Sequence, residues 1–199
     1  MALASTFFYL ARYPDAYRKV ATEVRAAFPS IDTIRAGPAL NNCVYLRAAI
    51  NEAMRLTPPA SQPLWRLVET AGAKVGTERF PAGVNVGTCL YVLHHTKSFA
   101  NPHTYDPDRW IPKNDSEEEK LRIKELTRSF APFSMGTRQC LAKNFAMMEM
   151  LLCMANVFSR TDFEVAGTLG EDEKGNFRFK SFFTSSTEGP LIRFRERKT

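Results

Sequence analysis

A single cysteine and the residues before it carry the clearest chemical signal in this sequence. The segment from Phe133 to Ala142 reads Phe-Ser-Met-Gly-Thr-Arg-Gln-Cys-Leu-Ala, with the cysteine at position 140. A helix-compatible apolar run, Leu141 to Phe158, begins directly after it, so the positive end of a helix dipole is expected near the sulfur. Arg138 precedes the cysteine by two residues. Both features favour the thiolate over the thiol.

The rest of this segment is typical of a site for a flat, apolar ligand. Gly136 permits a tight loop with positive φ and a close approach of the backbone to the ligand. Phe133 and Met135 can shield one side of the sulfur from water. A shielded, electron-rich thiolate on a rigid loop is what axial ligation of an iron porphyrin requires. The alternative for a lone cysteine is a buried structural role at the start of a helix.

A second pattern, Glu52-Ala-Met-Arg55, lies in a helix predicted from Cys43 to Leu56 and stopped by Pro58-Pro59. Residues spaced by three and four share one helix face, and here that face is largely apolar. An unpaired carboxylate on it would be costly, so Arg55, one turn later, is the expected partner. The alternative is an exposed ion pair that contributes only ~0–1 kcal/mol. The stripe contains Tyr45, Ala49, Glu52 and Leu56.

The cysteine segment resembles the haem-ligand signature of the cytochrome P-450 monooxygenases. The resemblance is carried by Phe133, Gly136, Arg138, Cys140 and Ala142 in their spacing. It implies that Cys140 is the axial iron ligand and the catalytic residue, and that the other four help to bind the cofactor. Most members carry glycine where this chain has Ala142, a mild change that removes no ligand.

A third pattern, Pro107-Asp-Arg-Trp110, resembles the arginine-bearing segment of the same family. The resemblance implies a buried charged triad of Glu52, Arg55 and Arg109 that braces the loop before Cys140. A planar guanidinium can bridge a buried carboxylate through two hydrogen bonds, which a lysine cannot do.

The resemblance also implies contacts with the haem propionates. Arg66, shortly after the Glu-x-x-Arg helix, and Arg138 are the candidate arginines. His94 or His95 resembles a family histidine that approaches a propionate. Because adjacent residues of a strand face opposite ways, only one of the two would point inward. The alternative for both is a packed, hydrogen-bonded histidine.

Composition agrees with one globular domain and excludes several other classes. The chain has 199 residues, 44% of them hydrophobic, which suffices for a single core. Its four cysteines show no zinc-type spacing and read as reduced thiols. The net charge is +6, yet no nucleic-acid motif or basic tract is present, so no nucleic-acid partner is expected. No apolar run is long enough for a membrane span, and the N-terminus does not read as a signal peptide.

The predicted fold class is mainly α with small β-sheets (α+β), the C-terminal part of the P-450 fold. Helices are predicted at Ala2–Arg12, Pro14–Ala27, Cys43–Leu56, Glu117–Leu126 and Leu141–Phe158. Arg66 to His95 is predicted to be rich in strands, with a turn at Phe80–Gly83. The tail is predicted to form a hairpin between Phe177–Phe183 and Leu191–Arg195.

The first helix resembles the final turns of the long helix that crosses the oxygen side of the haem. In the family, the acid and threonine that manage oxygen lie earlier on that helix, and Ser5 and Thr6 lie too far along to replace them. We therefore expect residues 1–199 to be a single haem-binding domain fragment that lacks the anchor, the substrate-chamber helices and the oxygen-activating part of that helix. Ala60–Leu64 and Phe183–Thr187 resemble the substrate-contacting stretches that remain.

The resemblance implies a haem-thiolate monooxygenase that inserts one atom of O₂ into an organic substrate, such as a hydroxylation in secondary metabolism. It further implies haem b, an NADPH-dependent reductase as electron donor and a hydrophobic small-molecule substrate. A full-length relative would lie at the cytosolic face of the endoplasmic reticulum, whereas this chain without an anchor would be cytoplasmic if expressed alone.

Two other functions stay open from the sequence. The chain could be a truncated, non-catalytic haem-binding or non-functional remnant of such an enzyme. It could also be a cysteine-nucleophile enzyme that uses Cys140 with His94 or His95. That mechanism requires the cysteine and a histidine within hydrogen-bond reach.

Overall fold

A computed structural model describes residues 1–197 and has a mainly helical α+β fold. The helices are α1 Ala2–Arg12, α2 Pro14–Ala27, α3 Pro38–Asn41, α4 Val44–Leu56, α5 Leu90–His94, α6 Glu117–Arg128 and α7 Lys143–Arg160. The strands are β1 Pro63–Leu67, β2 Ala73–Val75, β3 Glu78–Phe80, β4 Asn85–Cys89, β5 Thr161–Val165 and β6 Ile192–Glu196. Short 3-10 turns occupy Ile31–Thr33, Pro107–Trp110 and Gly136–Arg138. Within residues 1–197 no helix has both the length and the apolar character needed to cross a membrane.

The strands form three separate antiparallel pairs, β1 with β4, β2 with β3, and β5 with β6. In the first pair Pro63 lies opposite Cys89, and Leu67 lies opposite Asn85. In the last pair Phe163 lies opposite Phe194, although the two residues are far apart in the sequence. The core is mainly helical, and β5 adds Phe163 to it.

Helix α4 lies at the centre of that core and contacts α1, α2, α7 and the Pro107–Trp110 turn. Its apolar residues, such as Ala49 and Ala53, pack with Val20 of α2 and Met154 of α7 in one cluster of buried side chains. Because α4 is covered on several sides, its charged residues must find their partners inside the protein.

The N-terminus of α4 is capped by a neighbouring helix. Cys43 precedes α4 and offers no side-chain cap. The Glu23 carboxylate of α2 instead accepts hydrogen bonds from the backbone amides of Tyr45, at 2.9 Å, and Leu46, at 2.8 Å. These amides have no partner within the helix, and a negative charge there also interacts well with the helix dipole. Glu23 thus fixes α4 against α2.

Most predicted helices are confirmed, with small changes at their ends. Helices α1 and α2 have the predicted bounds, α4 begins one residue later, and α6 extends two residues further. Helix α7 begins at Lys143 and not at Leu141, because the chain is still turning there: the Lys143 amide donates to the Cys140 carbonyl at 3.3 Å. The positive end of this helix is therefore three residues beyond the cysteine.

Two strand predictions are wrong. The end of the predicted β-rich region, Leu90–His94, is a short helix, so His94 and His95 do not alternate across a strand. The predicted tail hairpin is also absent, since β6 pairs with β5 while Phe177 to Ser186 forms only isolated bridges. Phe163 and Phe194 both pack edge-on against Phe7, with ring centroids 5.1 and 5.8 Å away. This contact between distant segments is what a local hairpin pattern misses.

We expect Glu23→Ala to lower the free energy of unfolding by about 1–2 kcal/mol, because two amides at the start of α4 lose their acceptor. Glu23→Gln should cost less, since its amide oxygen can still accept from one of the two backbone amides, although the charge and the second acceptor are lost. Urea unfolding measures both changes. Glu69→Ala, at an exposed turn position, is the matched control, and an equal effect of Glu23→Ala and Glu69→Ala would contradict the cap.

Candidate functional site

A fully buried carboxylate, that of Glu52, lies between two guanidinium groups. The side chains of Glu52 and Arg55 have no exposed surface, and that of Arg109 is 5% exposed. Glu52 Oε1 accepts from Arg55 Nη2 at 2.8 Å and from Arg109 Nε at 2.9 Å. Glu52 Oε2 accepts from Arg55 Nε at 2.9 Å. Arg55 therefore binds the carboxylate through both oxygens, the geometry for which arginine is suited.

Two further donors complete the shell of this carboxylate. The Asp106 amide donates to Oε1 at 3.0 Å, and the Trp110 indole Nε1 donates to Oε2 at 2.9 Å. Arg55 and Arg109 have more N–H donors than the carboxylate can accept. The remaining donors bind backbone carbonyls. The acceptors are the carbonyl oxygens of His94, Ala100, Pro102 and Thr104. The charged cluster thus fixes the irregular chain between α5 and the Pro107–Trp110 turn.

Two contacts join this cluster to the residues just before the cysteine segment. The Trp110 ring packs on Phe130, with ring centroids 4.6 Å apart. His94, whose carbonyl accepts from Arg55, also accepts the Ala131 amide proton at its Nε2, at 2.9 Å. Residues 130 and 131 are therefore held by one aromatic contact and one hydrogen bond.

His94 points inward and is uncharged at ordinary pH. Its side chain has no exposed surface, and this burial, reinforced by the charge of Arg55, lowers its pKa from 6.5 to about 3. Because Nε2 accepts a proton from Ala131, the ring proton is on Nδ1, which has no partner within residues 1–197. His95 instead stacks on Tyr91 and lies within hydrogen-bond distance of its carbonyl, at 2.7 Å. A contact of His94 with a haem propionate stays a prediction.

The cysteine segment is a closed loop at the surface. The Cys140 amide donates to the Phe133 carbonyl at 2.8 Å, which brings the two ends of the segment together. Gly136 has φ +73°, and the space beside its Cα is open, so the backbone angle and not crowding favours glycine there. Cys140 is exposed and lies two residues before Ala142, the N-cap residue of α7.

The surface around Cys140 is apolar to an unusual degree. Leu141 is completely exposed, and Phe145 and Met135 are more than half exposed. Phe133, by contrast, is half-buried and packs against the core. Large apolar side chains grouped at one edge indicate a surface that another molecule covers.

A cavity of about 400 Å³ joins the β1–β4 pair to the cysteine segment. Arg66 of β1 and the loop residues Ser134 and Met135 line it together. The Arg66 guanidinium donates to the Trp65 carbonyl at 2.7 Å, and most of its protons stay available. Arg138 is exposed and makes no hydrogen bond with its side chain among the described residues.

These residues fit an iron porphyrin. Exposed apolar side chains such as Leu141 and Phe145 suit its faces, and exposed arginines such as Arg66 and Arg138 suit its carboxylates. Within residues 1–197 no group of three or more His, Cys, Asp or Glu side chains could hold a metal ion.

Comparison with known proteins agrees with this chemistry. Residues 1–187 match the family model described as Cytochrome P450. A cytochrome P450 monooxygenase of Gibberella zeae is 38% identical over a region that covers all of this chain and 47% of the length of that enzyme. The cytochrome P450 monooxygenase apf8 of Gibberella fujikuroi is 41% identical over 98% of this chain and 55% of its own length. The cytochrome P450 monooxygenase poxM of Penicillium oxalicum is 40% identical over a region that covers 97% of this chain and 36% of the length of poxM.

The chain therefore belongs to the cytochrome P450 family, and its α+β fold is a portion of the P450 fold. It spans between 36% and 55% of the length of these three relatives. Members of the family are haem proteins that generally take electrons from a reductase and act on small molecules.

Some contacts of this site were not predicted from the sequence. Trp110 lies in the segment that carries Arg109, and the only signal for its contact is that a half-buried indole N–H needs an acceptor. The bond between His94 and Ala131 has no sequence signal. The contact between Cys140 and a histidine that a cysteine-nucleophile enzyme requires is absent from the part of the chain that the structure describes.

We expect Glu52→Ala or Arg55→Ala to lower the free energy of unfolding by roughly 3–5 kcal/mol, since each leaves buried charge without its partner. Glu164→Ala is the matched control: it breaks exposed pairs with Arg193 and Arg195 and should cost only about 0–1 kcal/mol. Urea unfolding and haem occupancy are the measurements. Wild-type stability and occupancy in either buried variant would refute the role of the triad.

His94 should make the protein less stable in acid. The unfolded chain takes up a proton at this histidine near pH 6.5, whereas the folded chain resists protonation down to about pH 3. The unfolded state binds more protons across this window, so the free energy of unfolding decreases as the pH falls through it. Urea titrations at neutral and acidic pH measure the slope, which should be shallower in His94→Gln. Parallel profiles for the two proteins would contradict a neutral, buried His94.

Proposed function

We propose that Cys140 is the axial ligand of haem b and that this chain is the haem-binding portion of a haem-thiolate monooxygenase. One observation carries the proposal: an exposed cysteine on a closed loop, bordered by exposed apolar side chains and by a cavity that Arg66 shares with that loop. Membership of the family supports it. When bound, the haem supplies the activation of O₂ and the insertion of one oxygen atom into an organic substrate.

The residues of the loop have separate tasks in this proposal. Cys140 would hold the haem iron as a thiolate, which supplies electron density to the metal. Gly136, which has a positive φ and no side chain, would let the loop backbone approach the porphyrin. Phe133 and Met135 would keep water from the sulfur, and Ala142 ends the segment at the N-cap of α7.

Two arginines hold the porphyrin by its carboxylates. Arg66 would approach from β1 and Arg138 from the cysteine loop. A guanidinium presents paired donors to a carboxylate, which fixes the orientation of the ring as well as its presence. The triad of Glu52, Arg55 and Arg109 does not touch the cofactor, and it acts by holding residues 130 and 131 in place through Trp110 and His94.

Electrons would come from an NADPH-dependent reductase, and the substrate would be a hydrophobic small molecule. Residues 1–199 would form a single haem-binding domain, with Ala60–Leu64 and Phe183–Thr187 as its substrate-contacting stretches. Haem binding without turnover is the second candidate function. It uses the same exposed apolar edge, which includes Leu141 and Phe145, and product formation distinguishes the two candidates.

We expect the chain expressed with added haem to show, when reduced and bound to carbon monoxide, the strongly red-shifted Soret band of thiolate-ligated haem. Cys140→Ser should abolish this band, because a hydroxyl replaces the only proposed sulfur ligand. Cys153→Ser, in the body of α7, is the matched control and should keep it.

A spectrum of free or histidine-bound haem in the wild-type chain would contradict the ligand assignment. A normal thiolate band without product formation, when a reductase and NADPH are supplied, would favour haem binding without turnover.

A further inference from the structure

A further cavity, of about 660 Å³, is lined by residues of α3, α4 and α7 and by the residues that lead into the cysteine loop. Helix α4 contributes Arg47 and Asn51, which are four residues apart and therefore share one face of the helix. The same spacing puts Lys143, Met147 and Leu151 on one face of α7. The volume of this cavity is in the range of roughly 300–1,000 Å³ that is typical of small-molecule sites.

The charge on the wall of this cavity is of one sign. Arg47 and Lys143 are its charged side chains, and no Asp or Glu within residues 1–197 lines it. The Arg47 guanidinium makes one long hydrogen bond, from Nη2 to Asn41 Oδ1 at 3.4 Å, so most of its N–H groups stay available. Because two cations line the cavity without a counter-ion in its wall, they favour an anionic group in the ligand.

The deeper part of the wall is apolar. Leu40 of α3 and Leu151 of α7 are both 1% exposed, and the partly buried side chains of Phe130, Met147 and Met148 extend this apolar surface. Methionine side chains are flexible and adapt to ligands of different shape. An apolar interior together with cations at the wall suits an amphipathic anion, whose apolar body leaves water while its charged group is paired.

Asn51 adds a polar atom that lacks a partner. Its Oδ1 is buried and accepts no hydrogen bond within residues 1–197. An unmet acceptor costs free energy, and this one belongs to a side chain that lines the cavity one turn from Arg47. Residues four apart on a helix have Cβ atoms about 5–6 Å from each other. A hydroxyl or N–H a few bonds from the anionic group would therefore reach Asn51 Oδ1 while the anion is bound at Arg47.

We propose that this cavity binds a small anionic amphiphile that carries a hydroxyl or N–H group close to its anionic group. The anion binds to Arg47 and Lys143, the neighbouring donor binds to Asn51 Oδ1, and the apolar body packs against the methionines and leucine of α7. This site goes beyond the proposed function and does not depend on haem, since Cys140 is not among the residues that line the cavity.

The test measures the binding of N-decanoylglycine by isothermal titration calorimetry, below the concentration at which this ligand forms micelles. We expect Arg47→Gln and Lys143→Gln each to weaken binding by roughly tenfold, because each removes a charge-assisted contact with the carboxylate. Neither cation is buried, so both variants should fold as the wild type does. Lys124→Gln, at an exposed position of α6 outside the cavity, is the matched control and should bind like the wild type.

A matched pair of ligands tests the part played by Asn51. N-decanoylsarcosine differs from N-decanoylglycine by a methyl group on the amide nitrogen, so it has no N–H to donate. We expect the wild type to bind N-decanoylglycine about three to ten times more tightly, because the other ligand lacks one hydrogen bond. Asn51→Leu, which has a similar volume and no acceptor, should remove this preference.

Hydrogen exchange locates the ligand independently. Asn41 and Gly37 both line the cavity, and the Asn41 amide donates to the Gly37 carbonyl at 3.0 Å. Saturating N-decanoylglycine should slow the exchange of this amide at least about threefold. The Val68 amide, which donates to the Val84 carbonyl at 2.8 Å outside the cavity, should exchange as it does without the ligand.

The outcomes separate a site in this cavity from binding at the exposed apolar surface around Cys140. Weaker binding in both cation variants, slower exchange at Asn41 and equal affinity with and without haem support the inference. Unchanged affinity in Arg47→Gln and Lys143→Gln, loss of binding when haem is added, or no binding by the wild type overturns it. Equal affinity of the wild type for the two ligands overturns the part assigned to Asn51. None of these results bears on the haem ligand, which the spectrum of the cysteine variant decides separately.

Discussion

The structure depends first on one buried carboxylate. Glu52 would be prohibitively costly to bury alone, and two guanidinium groups, an indole and a backbone amide surround it. Two arginines and one glutamate carry a net positive charge, and the N–H groups that the carboxylate does not bind need other acceptors. Backbone carbonyls between positions 94 and 104 supply them. The path of this irregular segment is thus dictated by the hydrogen-bond needs of the cluster and not by secondary structure.

That constraint reaches the residues just before the cysteine loop through two uncharged side chains. Trp110 is hydrogen bonded to the carboxylate and packs on Phe130, while His94 holds the Ala131 amide. The loop itself is closed by a backbone bond and has an exposed cysteine at its end. Because an exposed side chain has little packing of its own, the orientation of the sulfur depends on the backbone that carries it.

Local patterns in the sequence predict much of this arrangement. The apolar periodicity gives α1, α2 and α4, and helix spacing puts Arg55 one turn from Glu52, with which it is in contact. What they cannot predict are contacts between distant segments that leave no periodic trace. Three contacts are of this kind: the cap that Glu23 of α2 forms on α4, the pairing of β5 with β6, and the hydrogen bond between Ser61 and Ser185.

Helix α5 shows how tertiary contacts also override local preference. Its Tyr-Val-Leu run favours a strand, yet these residues are helical. His94 lies in the interior, where its carbonyl accepts from Arg55 and its ring accepts from the Ala131 amide. A strand would direct His94 and His95 to opposite faces. In the helix His94 is instead the C-terminal residue, where its carbonyl has no acceptor role within the helix and accepts from Arg55.

Two polar networks of different strength hold irregular parts of the chain in place. One consists of charge-assisted bonds around Glu52, and the other consists of neutral hydroxyl bonds around Ser61. Charge-assisted bonds are about twice as strong as neutral ones. The stronger network holds the segment before the loop, and the weaker one holds the tail that carries Phe182 and Phe183. Because the two networks share no residue, the support of the loop that presents Cys140 does not depend on the hydroxyl bonds around Ser61.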